Sequence, residues 1–239
     1  MSFGSLSRAR AWLLGRPVGP VVLAGALGFL LVPWLVSYLA VVERSTAFGH
    51  PRPWNVANEA NVWTWANAAV FVFGAALHAG RALAHAPARA GLGWLLGACA
   101  LLALSLDDVA SFHEELDPVG RQMGGGEGFT HFAWVLPGLM LGAAFAGVLL
   151  LGAWLIRGRA ALVLLLGAAV LLLGALGIEA TTGAILSGGG SQRLYKIAYH
   201  VEEGVEAIGA ALLLAAAAFD IDGGRRPIRA WLSRSPPPG

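Results

Sequence analysis

The sequence predicts an all-α fold, a polytopic membrane bundle of six transmembrane helices, and three observations carry that expectation. Hydrophobic residues make up 57% of the 239 positions and charged residues only 13%, about half the ~25% charge of a soluble domain. Apolar runs of about 20 residues recur along the chain, the length that crosses a ~30 Å hydrocarbon core. The ~10-residue alternating segments of a transmembrane barrel are absent.

The remaining composition narrows the class further. A formal net charge of +2 is too small to suggest a nucleic-acid partner. Cys99, the one cysteine, sits inside an apolar run, so the sequence offers no disulfide framework and no thiolate metal cluster.

Six spans follow in order: Pro20–Val42, Asn61–Gly80, Leu92–Phe112, His131–Ile156, Ala161–Thr182 and Ala198–Phe219. The first is too long for a signal-peptide core and reads as a retained helix. Pro33 and Pro137 fall inside spans and predict kinks. Glycines crowd the fourth and fifth spans, where they allow close helix packing. Trp12, Trp54, Trp63, Trp65, Trp134 and Trp231 fall near span ends and read as an aromatic belt. Residues 1–219 form a single transmembrane domain. Residues 220–239 are an arginine- and proline-rich tail, suited to anionic headgroups.

Orientation follows from the arginines. Eleven of the 16 basic residues fall on the side shared by both termini and the even-numbered loops. The positive-inside rule therefore places both termini in the cytoplasm. High Ala, Gly and Arg usage suits a bacterial inner membrane.

The acidic residues distribute differently. Only Asp220 and Asp222 lie on the cytoplasmic side. Asp107, Asp108, His113 and Glu114 cluster at the outer end of the third span, His131 opens the fourth, and Glu179 closes the fifth. His200, Glu202, Glu203 and Glu206 occupy the start of the sixth. At ~1.5 Å rise per residue these groups fall within ~10 Å of one boundary. Ionisable groups at such depth are costly and point to function.

Helical spacing puts Asp107, Ser111 and Glu114 on one stripe, and makes His200 and Glu203 neighbours that can share an ion. So many carboxylates repel, by ~4 kcal/mol per pair at 4 Å even at an effective dielectric of 20. A cation, shared protons or arginine partners must compensate. Oxygen and imidazole ligands suit a divalent metal such as zinc, manganese or iron. The metal candidates are Asp107, Asp108, His113, Glu114, His131, His200 and Glu203, with Glu179 or Glu206 as general base.

The run Ser105-Leu106-Asp107-Asp108 with His113-Glu114, together with Glu202-Glu203 and Glu206, resembles a pattern in uncharacterised multispanning bacterial membrane proteins. A more distant similarity is to the membrane hydrolase superfamily of alkaline ceramidases and progestin-receptor-like proteins. That resemblance implies zinc held by histidines and an aspartate with a serine nearby, the parts here of Asp108, His113, His200 and Ser111. The chain departs from it in having six spans instead of seven. It also carries Glu203 and Glu206 where the superfamily has His-x-x-x-His.

The expectation is a metal-dependent membrane hydrolase acting on a lipid or lipid-linked substrate from the outer face. A cation- or proton-coupled transporter and a non-catalytic scaffold are the alternatives. Orientation is directly testable: a phosphatase fused after Gly239 stays inactive and a fluorescent protein there lights up, whereas the reverse pattern overturns cytoplasmic termini.

Overall fold

The computed structural model describes residues 17–232 apart from 46, 48 and 59, with side chains described as far as residue 223. Arg8, Arg10, Trp12, Arg16 and Glu59 therefore lie outside the described residues, as do the side chains of Arg225, Arg226, Arg229, Trp231 and Arg234.

Helices joined by turns make up the described residues, with no strand among them. Six helices are long and apolar enough to cross a membrane: α1 (Val18–Val42), α2 (Val62–His85), α3 (Arg89–Ala110), α5 (Val135–Ile156), α6 (Gly158–Ser187) and α7 (Gln192–Leu232). A short helix, α4 (Asp117–Gln122), sits between α3 and α5. Leu141, Leu150, Leu162 and Leu166 are each more than half exposed, an outward surface that suits hydrocarbon and not water.

The last helix is the core. α7 packs against α1, α2 and α6, and Ala210, Ala211 and Ala215–Ala218 have no exposed surface. Small side chains on every face let three neighbours approach one axis. At Gly209 a Cβ would stand 2.6 Å from the Leu171 nitrogen of α6.

Both described ends of the chain meet at one end of the bundle. Asp222 accepts from the free N–H groups of Val18 (2.7 Å) and Gly19 (2.8 Å), capping α1 from the far end of the sequence. Asp220 accepts from Arg81 Nε (2.7 Å) and pairs with His85. α7 thus runs unbroken through the 219/220 boundary drawn from composition, and its first two acidic residues past that point belong to the bundle.

Other boundaries move for physical reasons. α2 runs to His85, because Arg81 and His85 find a carboxylate instead of solvent. α5 starts at Val135 and leaves His131 in a turn, so Pro137 occupies the first helical turn. A missing N–H is harmless there, and no kink is needed. His78 is fully buried against Trp94, with its Nε2 on the Leu213 carbonyl (2.9 Å).

The tight α6–α7 contact makes Gly209→Val destabilising by an amount on the order of 1–3 kcal/mol. Gly28, with nothing within 4 Å of an added Cβ, is the control. Thermal melts in detergent check this: Gly209→Val falls and Gly28→Ala does not, while equal melts contradict the packing.

Candidate functional site

At the end of the bundle opposite Asp220 and Asp222, a cavity of about 520 Å³ opens under the segment that joins α3 to α5. Asp108, Glu114, Asp117, Glu179, Glu202, Glu203 and Glu206 line it, with Arg121, His113, His131 and the phenols Tyr195 and Tyr199. A second cavity of about 300 Å³ continues from it between α3, α5 and α6. The two share Asp108, His113, Trp134, Glu179 and Glu206, and Asp107 joins at the second. Beyond those residues and Asn67 the second cavity is walled by apolar side chains, among them Leu104, Leu141, Phe145 and Leu172. The site is an acidic chamber with an apolar cleft attached.

Local backbone breaks aim the carboxylates. α3 ends at Ala110, and Ser111 adopts a left-handed conformation (φ 53°) with its N–H on the Asp107 carbonyl (2.6 Å). This reverses the chain, so His113 returns to Asp107. The His113 N–H donates to Oδ1 (3.0 Å) and its Nδ1–H to Oδ2 (2.9 Å). The stripe expected from Asp107 through Ser111 to Glu114 therefore does not form. Helical spacing stops at residue 110, and Ser111 faces neither cavity.

On α6, residues Leu173–Ile178 form a π-helical turn, and the Glu179 N–H reaches the Gly174 carbonyl five residues back. Such single-turn bulges are frequent at functional sites. Here the bulge delivers Glu179 to the chamber, where Trp134 Nε1 donates to it (3.0 Å). Gly174 also leaves room for Glu206, whose Cγ would stand 2.5 Å from an added Cβ.

Three more of the carboxylates have donors of their own. Trp63 Nε1 donates to Glu203 (2.7 Å), Thr182 Oγ1 to Glu202 (2.7 Å), and Asn67 Nδ2 to Asp108 (3.4 Å). Glu206 lies within electrostatic reach of Glu202, Glu179, Asp108 and Asp107. Asp117 takes the Ala133 N–H (2.9 Å) and Arg121 Nε (2.6 Å), closing the rim. The guanidinium at the rim is thus already engaged.

Of the ten residues singled out by sequence, Asp107, Asp108, His113, Glu114, His131, Glu179, Glu203 and Glu206 meet here. His200 does not. Its Nδ1–H donates to the Lys196 carbonyl (2.7 Å), and its Nε2 accepts from Ser37 (2.9 Å). It is fully buried among Trp34, Tyr38 and Tyr199 and faces a different, apolar cavity beside α1. An imidazole with both nitrogens engaged cannot share an ion with Glu203. Among the described residues, no three His, Cys, Asp or Glu side chains are grouped to hold an ion as they stand.

Sequence reasoning missed the holders. Trp63 and Trp134 are buried and donate to carboxylates, whereas Trp65 is 64% exposed, as a belt residue should be. Asn67 and Thr182 carried only a depth signal. Tyr195 and Tyr199 carried none.

The fold and the site define a class: a six-span helical protein of membrane-crossing dimensions, with an acidic chamber and an apolar cleft at one end. Residues 17–221 match the family described as Domain of unknown function (DUF8692), and the chain belongs to that family. No curated protein and no solved structure is detectably similar to it.

The separation of His200 from the chamber has a direct consequence. His200→Ala costs about 2 kcal/mol or more of stability, through lost packing and two lost hydrogen bonds. It leaves any ligand bound by the chamber in place. Melts and ligand content measured on one preparation check this, and a stable variant that has lost its ligand contradicts it.

Proposed function

We propose that the protein is a metal-dependent hydrolase of a lipid or lipid-linked substrate, embedded in the bacterial inner membrane with its chamber at the outer face and both termini in the cytoplasm. The observation that carries this reading is the joining of chamber and cleft. An amphiphile has a polar group to place among carboxylates and a hydrocarbon chain to place among leucines, and the two cavities meet at Asp108, Glu179 and Glu206.

Charge supports a cation in the chamber. Eight carboxylates line the two cavities (Asp107, Asp108, Glu114, Asp117, Glu179, Glu202, Glu203 and Glu206), against a single guanidinium that Asp117 already binds. Asp108, Glu203 and Glu206, with His113 at the side, are the residues to hold a divalent ion such as zinc, manganese or iron. Rotation of their side chains and intervening water would complete the shell, because the carboxylates line walls and do not converge on one point. Such an ion supplies Lewis acidity toward an ester, amide or phosphoryl group.

Glu179 is the base of this scheme. Trp134 holds one of its oxygens, which leaves the other to take a proton from water and return it to the leaving group. Hydrolysis is favoured over transport by the packing beneath the chamber. There a Cβ on Gly74 would stand 3.0 Å from Leu101 and 3.3 Å from the Leu214 backbone, so α2, α3 and α7 close on one another. A scaffold would have no use for the cleft.

Elemental analysis of the purified full chain is expected to find about one divalent ion per molecule. Asp108→Asn and Glu206→Gln weaken its retention by roughly tenfold or more. Wild-type protein with only trace metal, unchanged in both variants, removes the reading.

A further inference from the structure

We infer that the cleft and the inner end of the chamber form one binding site for an amphiphile with an ammonium headgroup, which reaches it sideways from the membrane. This rests on the hydrolase reading and narrows its substrate class.

The hydrocarbon part comes from the cleft. Ala103 of α3 and Leu141 of α5 line it and are themselves exposed on the outward surface, Leu141 at 56%. The cleft therefore opens between these helices at the level of the apolar surface. Leu172 and Leu176 of α6 close its back. The width there is set at Gly142, where a Cβ would stand 2.8 Å from Leu176. A slot of this kind, at hydrocarbon depth, takes an alkyl chain from the lipid phase.

The headgroup follows from what waits at the inner end. Asn67 is 2% exposed and lines the cleft beside Asp107, Asp108, Glu179 and Glu206. Its Nδ2 donates to Asp108, so its Oδ1 is turned away from that carboxylate, and this buried oxygen has no hydrogen-bond partner. A buried acceptor left unmade is costly, and what it lacks is a donor. An ammonium N–H supplies one, and its positive charge suits the surrounding carboxylates.

A phosphate headgroup supplies neither and would meet like charge on several walls. Arg121 does not offset that, because it pairs with Asp117 at the chamber rim and does not line the cleft. The number of carboxylates leaves room for a divalent ion and an ammonium together.

Photolabelling of the full chain in nanodiscs tests the site. Two probes share one diazirine-bearing alkyl chain, and one carries a primary amine while the other carries a phosphate. The amine probe is expected to label residues 100–108 and 141–145 on the order of tenfold more than the phosphate probe. Ala103→Trp, on the exposed wall, keeps the fold and abolishes that labelling. Glu203→Gln with Glu206→Gln erases the headgroup preference. Equal labelling by both probes, or labelling that survives Ala103→Trp, overturns the inference. Metal content from the same preparation separates the two ideas. One bound ion without cleft labelling removes the amphiphile site and leaves the metal reading standing, whereas labelling without metal does the reverse.

Discussion

Negative charge enclosed by apolar helices has to be held by something, and in this bundle it is held across helices. Glu203 on α7 takes the indole N–H of Trp63 on α2, and Asp108 on α3 takes the amide of Asn67, also on α2. Glu179 on α6 takes the indole N–H of Trp134, just before α5. Unpaired groups in such surroundings cost several kcal/mol each. The donors thus make the acidic chamber affordable and at the same time set how the helices meet. The site and the packing at this end are one network, and removing Glu203, Asp108 or Glu179 strands a donor on another element.

The opposite end uses the same device for a different purpose. Asp222 caps α1 from the last helix, and Asp220 gathers Arg81 and His85. First and last helices are therefore fastened together at the end away from the chamber. Between the two ends, α7 carries alanines that all its neighbours can approach. The polar residues sit at both ends of this apolar shaft, which explains how a chain so poor in charge still specifies its arrangement.

How much of this the sequence discloses depends on the kind of signal. Span number follows from residue type and run length, and the structure has six such helices among the described residues. The depth match of Asp108, Glu179 and Glu206 follows from a fixed rise per residue, and the three line the same two cavities. Direction around a helix is harder. α7 is buried on nearly every side, so periodicity does not say which neighbour His200 faces, and it turns to Ser37 while Glu203 turns to Trp63. Tryptophan is ambiguous for a related reason. An indole at a span end suits a lipid interface and a carboxylate equally well, and Trp65 and Trp63 lie two positions apart with opposite fates. Ser111 gave no warning either, because left-handed backbone is usually announced by glycine or asparagine. The apolar cleft is a product of three helices together and has no linear signature at all.

The π-helical turn in α6 makes the position of Glu179 a matter of residue count. A turn of that type holds one residue more than an α-helix needs, and each residue in an α-helix advances the side chain by ~100°. Were the surplus residue lost, everything beyond it would turn by ~100° about the helix axis and Glu179 would leave its place beside Trp134. The place of this carboxylate in the chamber thus depends on the residue count of the turn before it as much as on the glutamate itself.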